Sequence, residues 1–330
     1  MSAISNVKEQ YNALKEDKKF ANKRKKYQTM FKNFLLGLFK FIMIVGLSYV
    51  ILGPLIGIVS KSFFSDADQY NSMVFVIPQN PTFERYIQAF KYMHYPKVLL
   101  NTTIYVVLIL LINVLVCSMV GYGFARFEFP CKTLFFALVI VMIVIPTHTI
   151  MLPLYITFRK FNPLWLGTLL TGSAWNLMKT PYPMYILAIF GCGLRSGLYI
   201  YIFNQFFRGL PKEIEEAAFV DGAGMFYTYF AIMLRNAMPS VITVSVFSLV
   251  WQYADTFYAK LFSIGTSRLL SMNIATLQAT ITNNLQLNDP NIGVLYLDAG
   301  IVLVILPVLI LYCVLQKQFV EGVERSGIVG

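Results

Sequence analysis

Residues Leu210-Pro211-Lys212-Glu213-Ile214-Glu215-Glu216-Ala217-Ala218-Phe219-Val220-Asp221-Gly222-Ala223-Gly224 form a polar, acid-rich island between two apolar segments, each long enough to cross a bilayer. Their chemistry suits docking rather than bond-making. Pro211 fits a first helical position, where its missing N–H has no partner to lose, and Glu213, Glu215 and Glu216 place negative charge in the first turn, where the helix dipole favours it. Asp221-Gly222 is a turn signal, and 226–234 can resume as a second helix. The expected product is a helix–turn–helix hairpin against one membrane face, with Ala217, Ala218 and Ala223 allowing a partner to come close. An ordinary capped surface helix followed by a turn would use the same acids and Pro211.

A second constellation, Trp251, Gln252, Tyr253 and Asp255, combines aromatic faces for CH-rich rings with an amide and a carboxylate for hydroxyl groups, the mixture a sugar route needs. On a helix at most two of these can line one path, and Trp251 and Tyr253 equally suit anchoring at a membrane interface. Bond-making chemistry is not expected. No Gly-x-x-x-x-Gly-Lys-Ser/Thr phosphate cradle occurs, and the Gly-rich pieces around Gly191 and Gly222 lack the required Lys. His94 and His148 are the two histidines and join no metal-ligand or nucleophile–base cluster. The chain therefore reads as non-enzymatic, without catalytic residues, metal or cofactor, and its energy must come from a partner or a gradient.

The spacing Glu216-Ala217-Ala218, two residues, Asp221-Gly222-Ala223, then Ile232, Leu234 and Pro239 resembles the EAA loop of binding-protein-dependent ABC importer permeases, most closely those of the maltose-type carbohydrate group. The likeness covers roughly residue 101 to the C-terminus, whose Gly-rich ending at 327–330 is also similar. Tyr229 stands where Phe is common and Arg235 where Pro is common. The resemblance implies the type I importer permease architecture, with the loop as a coupling helix. It gives ATPase coupling to Glu213, Glu216, Ala217, Ala218, Asp221, Gly222 and Ala223, with docking by Glu216 and the bend at Gly222. It further implies two cytoplasmic ATPase subunits, a second permease making a heterodimer, an extracytoplasmic sugar-binding protein, and a bacterial plasma membrane. A permease for a glycerol phosphodiester or a polyol is the alternative within the class; a gradient-driven carrier is the alternative outside it. Against the carrier stands the scarcity of buried acids, with Asp255 and Asp298 both near span ends.

Composition sets the medium. With 57% hydrophobic and 13% charged residues the chain is too apolar for a water-soluble domain of 330 residues and reads as an all-α membrane protein. Its net charge of +11 does not point to nucleic acid, because ten of the 27 Lys and Arg lie in the first 40 residues. A basic tail of that kind, densest at Lys23-Arg24-Lys25-Lys26, stays cytoplasmic and attracts anionic lipid. Cys117, Cys131, Cys192 and Cys313 show no paired spacing and are expected as free thiols.

Six spans are expected, at about 34–59, 99–122, 135–158, 183–207, 240–262 and 298–315. They divide the chain into a tail (1–32), a first helix with its external loop (33–98), a permease core (99–317) holding the coupling loop (210–239), and a C-terminal tail (318–330). Pro146 and Pro153 interrupt the third span, with His148 between them either lining a path or packing on a neighbour. Gly191, Gly193 and Arg195 interrupt the fourth, leaving Arg195 either to snorkel outward or to face the pore. Residues 162–183 and 263–296 read as external loops, the first partly interfacial. With both termini inside, cytoplasmic segments hold 17 Lys and Arg against nine outside, consistent with positive-inside orientation and with a cytoplasmic coupling loop.

Overall fold

A computed structural model describes the backbone of residues 2–327 and the side chains of 29–314 and 316. The basic run at 23–26 and the C-terminal ending discussed above lie outside these described side chains. The chain forms two units, residues 1–60 and 61–330. The first is most of α1 (Ser2–Lys61), whose apolar part Thr29–Lys61 is long enough to span and turns Phe39, Ile44 and Ile51 outward, as lipid contact requires.

The second unit is built of helices joined by short links: α2 (Asp66–Tyr70), α3 (Glu84–Tyr92), α4 (Tyr95–Arg126), α5 (Lys132–Val144), α6 (Met151–Arg159), α7 (Leu166–Thr171), α8 (Tyr182–Ile189) and α9 (Ser196–Gly209). These are followed by α10 (Glu213–Val220), α11 (Met225–Tyr227), α12 (Leu234–Asn236), α13 (Met238–Ala254), α14 (Phe257–Leu261), α15 (Leu270–Leu285) and α16 (Pro290–Gly327). Helix α4 is the central post. Gly121 lets it touch α9, since a Cβ there would sit 2.7 Å from Cβ of Phe203. On another face, Asn113 of α4 donates to Ser248 of α13 at 3.1 Å.

Among the described residues, three helices are long and apolar enough to cross a membrane unbroken: Thr29–Lys61, Tyr95–Arg126 and Pro290–Val314. Two helix pairs pass the same test only when taken together, α5 with Thr147–Arg159, bent by 102°, and Met225–Asn236 with α13, bent by 77°. The expected fourth span is not one helix. Its 183–207 stretch divides into α8 and α9 around a link in which Gly191 and Arg195 take positive φ of 66° and 62°. The sharp bend of the third span belongs to Pro146, which drives Ile145 into extended backbone. Pro153, expected to break the same span, lies in the first turn of α6, where proline is tolerated.

The segments expected outside the membrane are more ordered than their polarity suggests. Residues 263–296 contain the 16-residue α15. Its Leu270, Ile274, Leu277, Ile281 and Leu285 recur at helical spacing and pack with α3 and α16, a periodicity that the intervening Asn and Thr masked. Residues 61–92 fold onto the same cluster. Arg85 pairs with Asp66 and lies 4.4 Å from the Tyr296 ring centroid, while Tyr70 donates to Asp289. Residues 162–183 hold α7 and one antiparallel bridge between Phe161 and Trp175.

Candidate functional site

The acid-rich island folds as a hairpin whose first limb is α10. Helical spacing splits its acids between two faces. Glu213 and Glu216 are exposed, whereas Glu215, three residues before the buried Ala218, turns inward. There its Oε1 meets Nε of Arg126, at the end of α4, at 2.7 Å; the two side chains are 11% and 5% accessible. The same guanidinium donates to the Leu210 carbonyl at 2.9 Å, so one arginine holds both the carboxylate and the entry backbone of the hairpin.

The bend closes as a helix C-terminal motif. Asp221 N–H donates to the Ala217 carbonyl at 3.0 Å, Gly222 N–H to Phe219 at 3.0 Å and Ala223 N–H to Ala218 at 2.9 Å. Gly222 takes φ of 82°, a left-handed conformation that glycine adopts without a Cβ clash. The second limb, expected as a plain helix over 226–234, is α11 and α12 with a π-helical stretch, Thr228–Met233, between them. Inside that stretch the Tyr229 hydroxyl meets Ser118 Oγ of α4 at 2.6 Å, and its ring lies 5.1 Å from that of Tyr122. Tyrosine in place of the usual phenylalanine thus has a structural use. Both limbs are fastened to α4, the first through Arg126 and the second through Ser118 and Tyr122.

Outward, the hairpin presents Ala217, Phe219, Val220, Met225, Phe226 and Tyr227, with Val220 87% and Phe226 70% exposed. These apolar side chains form an exposed patch at the tip of a polar loop. Beside it, Glu128 in the return loop accepts from Lys132 at 2.8 Å, which holds its carboxyl below the usual carboxylate range.

The second constellation is distributed differently. Gln252 is buried and donates to the Tyr105 hydroxyl at 2.9 Å, and the Tyr253 hydroxyl donates to the Val304 carbonyl at 2.7 Å. Asp255 lies beyond the end of α13, where its two carboxylate oxygens accept the N–H groups of Tyr258 and Ala259 and start α14. Trp251 is half-buried, stacked 5.0 Å from Phe247 and 6.1 Å from Tyr199, with the guanidinium carbon of Arg195 5.2 Å from its centroid. Three of the four residues use their polar groups inside the subunit. The Arg126–Glu215 pair was not anticipated from sequence; the three-residue step from Glu215 to Ala218 was the available signal for an inward-facing acid.

The family model for the binding-protein-dependent transport system inner membrane component matches residues 117–325, which include the whole hairpin. The chain belongs to that family. This permease is 28% identical over 282 residues to the diacetylchitobiose uptake system permease protein NgcG of Streptomyces coelicolor, covering 84% of each chain. It is 25% identical over 289 residues to the arabinooligosaccharides transport system permease protein AraQ of Halalkalibacterium halodurans, covering 86% of this permease and 93% of that protein. Among solved structures, a chain of a bacterial ABC transporter involved in the import of the acidic polysaccharide alginate superposes with a TM-score of 0.68. That match spans 86% of the permease and 96% of the other chain at 21% identity, a likeness of fold.

Proposed function

We propose that this permease is one membrane-spanning half of an ATP-driven importer of a di- or oligosaccharide. A sugar-binding protein outside delivers the solute, a second, different permease completes the pathway, and two ATPase subunits dock below. The saccharide class is supported by relatives named for diacetylchitobiose, arabinooligosaccharides and starch degradation products. The observation that carries the coupling role is the double attachment of the hairpin to α4. Its tip is free to bind an ATPase, while Arg126–Glu215 on one limb and Ser118–Tyr229 on the other join it to the post against which α9 and α13 pack.

Movement of the docked tip is thereby passed to α4, and through the Gly121 contact to α9, as a rigid-body displacement. Glu216 and Gly222 serve the docked face and its bend, and both termini lie on the ATPase side. ATP is hydrolysed by the partner, and the permease converts closure of that partner into a change of access. The test is purification of the tagged permease from its native membrane, with mass spectrometry of its companions and an ATPase assay. Recovery of an ATPase and a second permease, with saccharide-dependent turnover lost on charge reversal at Glu216, is the expected result. Recovery of the permease alone and intact under mild detergent overturns the reading.

A further inference from the structure

Three helices break off after similar lengths. Counted from the hairpin side, α5 rises 13 residues to the Pro146 bend, α9 begins 14 residues up at the Arg195 link, and α13 ends after 17 residues at Asp255. At 1.5 Å per residue each runs about 20–25 Å, short of the roughly 30 Å apolar layer. Backbone that leaves its helix at this depth persists where it is covered by protein or lines water. Arg195 opens α9 and is exposed, and Trp251, thirteen residues after Met238 in α13, lies under it. The exposed His148, just past the Pro146 bend, packs 4.7 Å from Phe257.

The environment of Arg195 narrows what it can bind. Among the described residues no carboxylate lies within ion-pair distance of it. Trp251 holds the guanidinium by a cation–π contact and is itself fixed by stacking on Phe247 and Tyr199. Both flanks of Trp251 are therefore in use, and it serves to position the arginine rather than to stack on a ring. The arginine fork, with five donors and no acceptor, is left for a planar anion.

We propose that Arg195, positioned by Trp251, is a binding residue for the carboxylate of an acidic saccharide in the translocation path. This rests on the saccharide-importer reading given above. The test uses the complex purified through the tagged permease and placed in lipid nanodiscs, its ATPase titrated with a di-uronate and with a neutral disaccharide. Arg195→Gln is expected to raise the half-maximal di-uronate concentration about tenfold or more, the scale of a lost charge-assisted hydrogen bond, and Arg195→Lys by less. The half-maximal concentration of the neutral disaccharide is expected to shift less than that of the di-uronate, so the ratio of the two is the quantity read.

Equal responses of parent and Arg195→Gln to the di-uronate, equal losses on both sugars, or a parent that answers the neutral sugar alone each overturn the assignment while leaving the importer intact. A parent complex that answers neither sugar overturns the saccharide reading together with it. Independently, Arg195→Cys with Cys117, Cys131, Cys192 and Cys313 changed to Ser is expected to react with an anionic, water-soluble thiosulfonate and to be protected by the di-uronate. Reaction confined to a lipid-soluble maleimide places residue 195 in lipid and overturns the proposal.

Discussion

Removing the Glu215 carboxylate tests the attachment of the hairpin most directly. Both members of the pair are nearly inaccessible, at 11% and 5%, so Glu215→Ala leaves the Arg126 guanidinium largely dehydrated, with the Leu210 carbonyl as its remaining acceptor. Breaking a buried pair from one side costs about 3–5 kcal/mol, and the surviving carbonyl bond argues for the lower end. About 3 kcal/mol corresponds to roughly a hundredfold shift toward a hairpin released from α4. Hydrogen exchange over residues 210–224 of the purified permease reads this release without any partner, and saccharide-dependent ATPase of the complex reads its consequence. Glu215→Ala is expected to lose protection and coupling together, and Arg126→Ala to add little in the double variant, because the first change has already removed the shared interaction. Glu216→Ala, changing an exposed acid, is expected to keep protection and lose coupling. Unchanged protection in Glu215→Ala, or full additivity with Arg126→Ala, would refute the attachment.

Further outcomes follow from the same geometry. Gly222→Ala, at φ of 82°, is expected to strain the bend by about 1–2 kcal/mol and lower coupled ATPase while the permease still inserts; unaltered coupling counts against the bend's role. Gly121→Val is expected to part α4 from α9, since even a Cβ there would sit 2.7 Å from Phe203 Cβ, and to lower the thermal midpoint of the detergent-solubilised permease; a midpoint within a degree of the parent contradicts the close approach. Tyr229→Phe removes one hydroxyl contact and is expected to cost about 1 kcal/mol, with Ser118→Ala giving no further loss in the double variant, as read by thermal unfolding. At Asp68, burial raises the carboxyl pKa, but hydrogen bonds from Asn80 and Ser65 outweigh it and hold the group below its ordinary value of 3.8. A depressed carboxylate stabilises above its unfolded pKa and loses that contribution as pH falls through the folded value. The protection factor over 61–82, exchange relative to its intrinsic rate at each pH, is therefore expected to stay constant from pH 7 to 5 and to fall below about 4, and constant protection down to pH 3 would contradict it.

Sequence alone determined the medium, the element type and the helix start and turn of the acid-rich loop. Apolar runs interrupted by short charged segments can be read locally because a bilayer demands about 20 apolar residues per helix. The acid-Ala-Ala and Asp-Gly pattern can be read because dipoles, caps and positive φ act over a few residues. The family match over 117–325 agrees with that local reading. Tertiary structure decided which acid points where. Glu213, Glu215 and Glu216 are chemically alike in a string, and only the packing of α10 on α4 turns Glu215 toward Arg126, 89 positions earlier. It also decided where the helices break: Pro146 puts Ile145 into extended backbone, while Pro153 stands in the first turn of α6, where the N–H it lacks is least needed. Gln252, Tyr253 and Asp255 looked available because their partners, Tyr105, Val304 and the α14 amides, become neighbours only when distant helices pack. Arg195 is the converse. Its charge was visible from the start, and its place over Trp251 follows from packing α9 against α13.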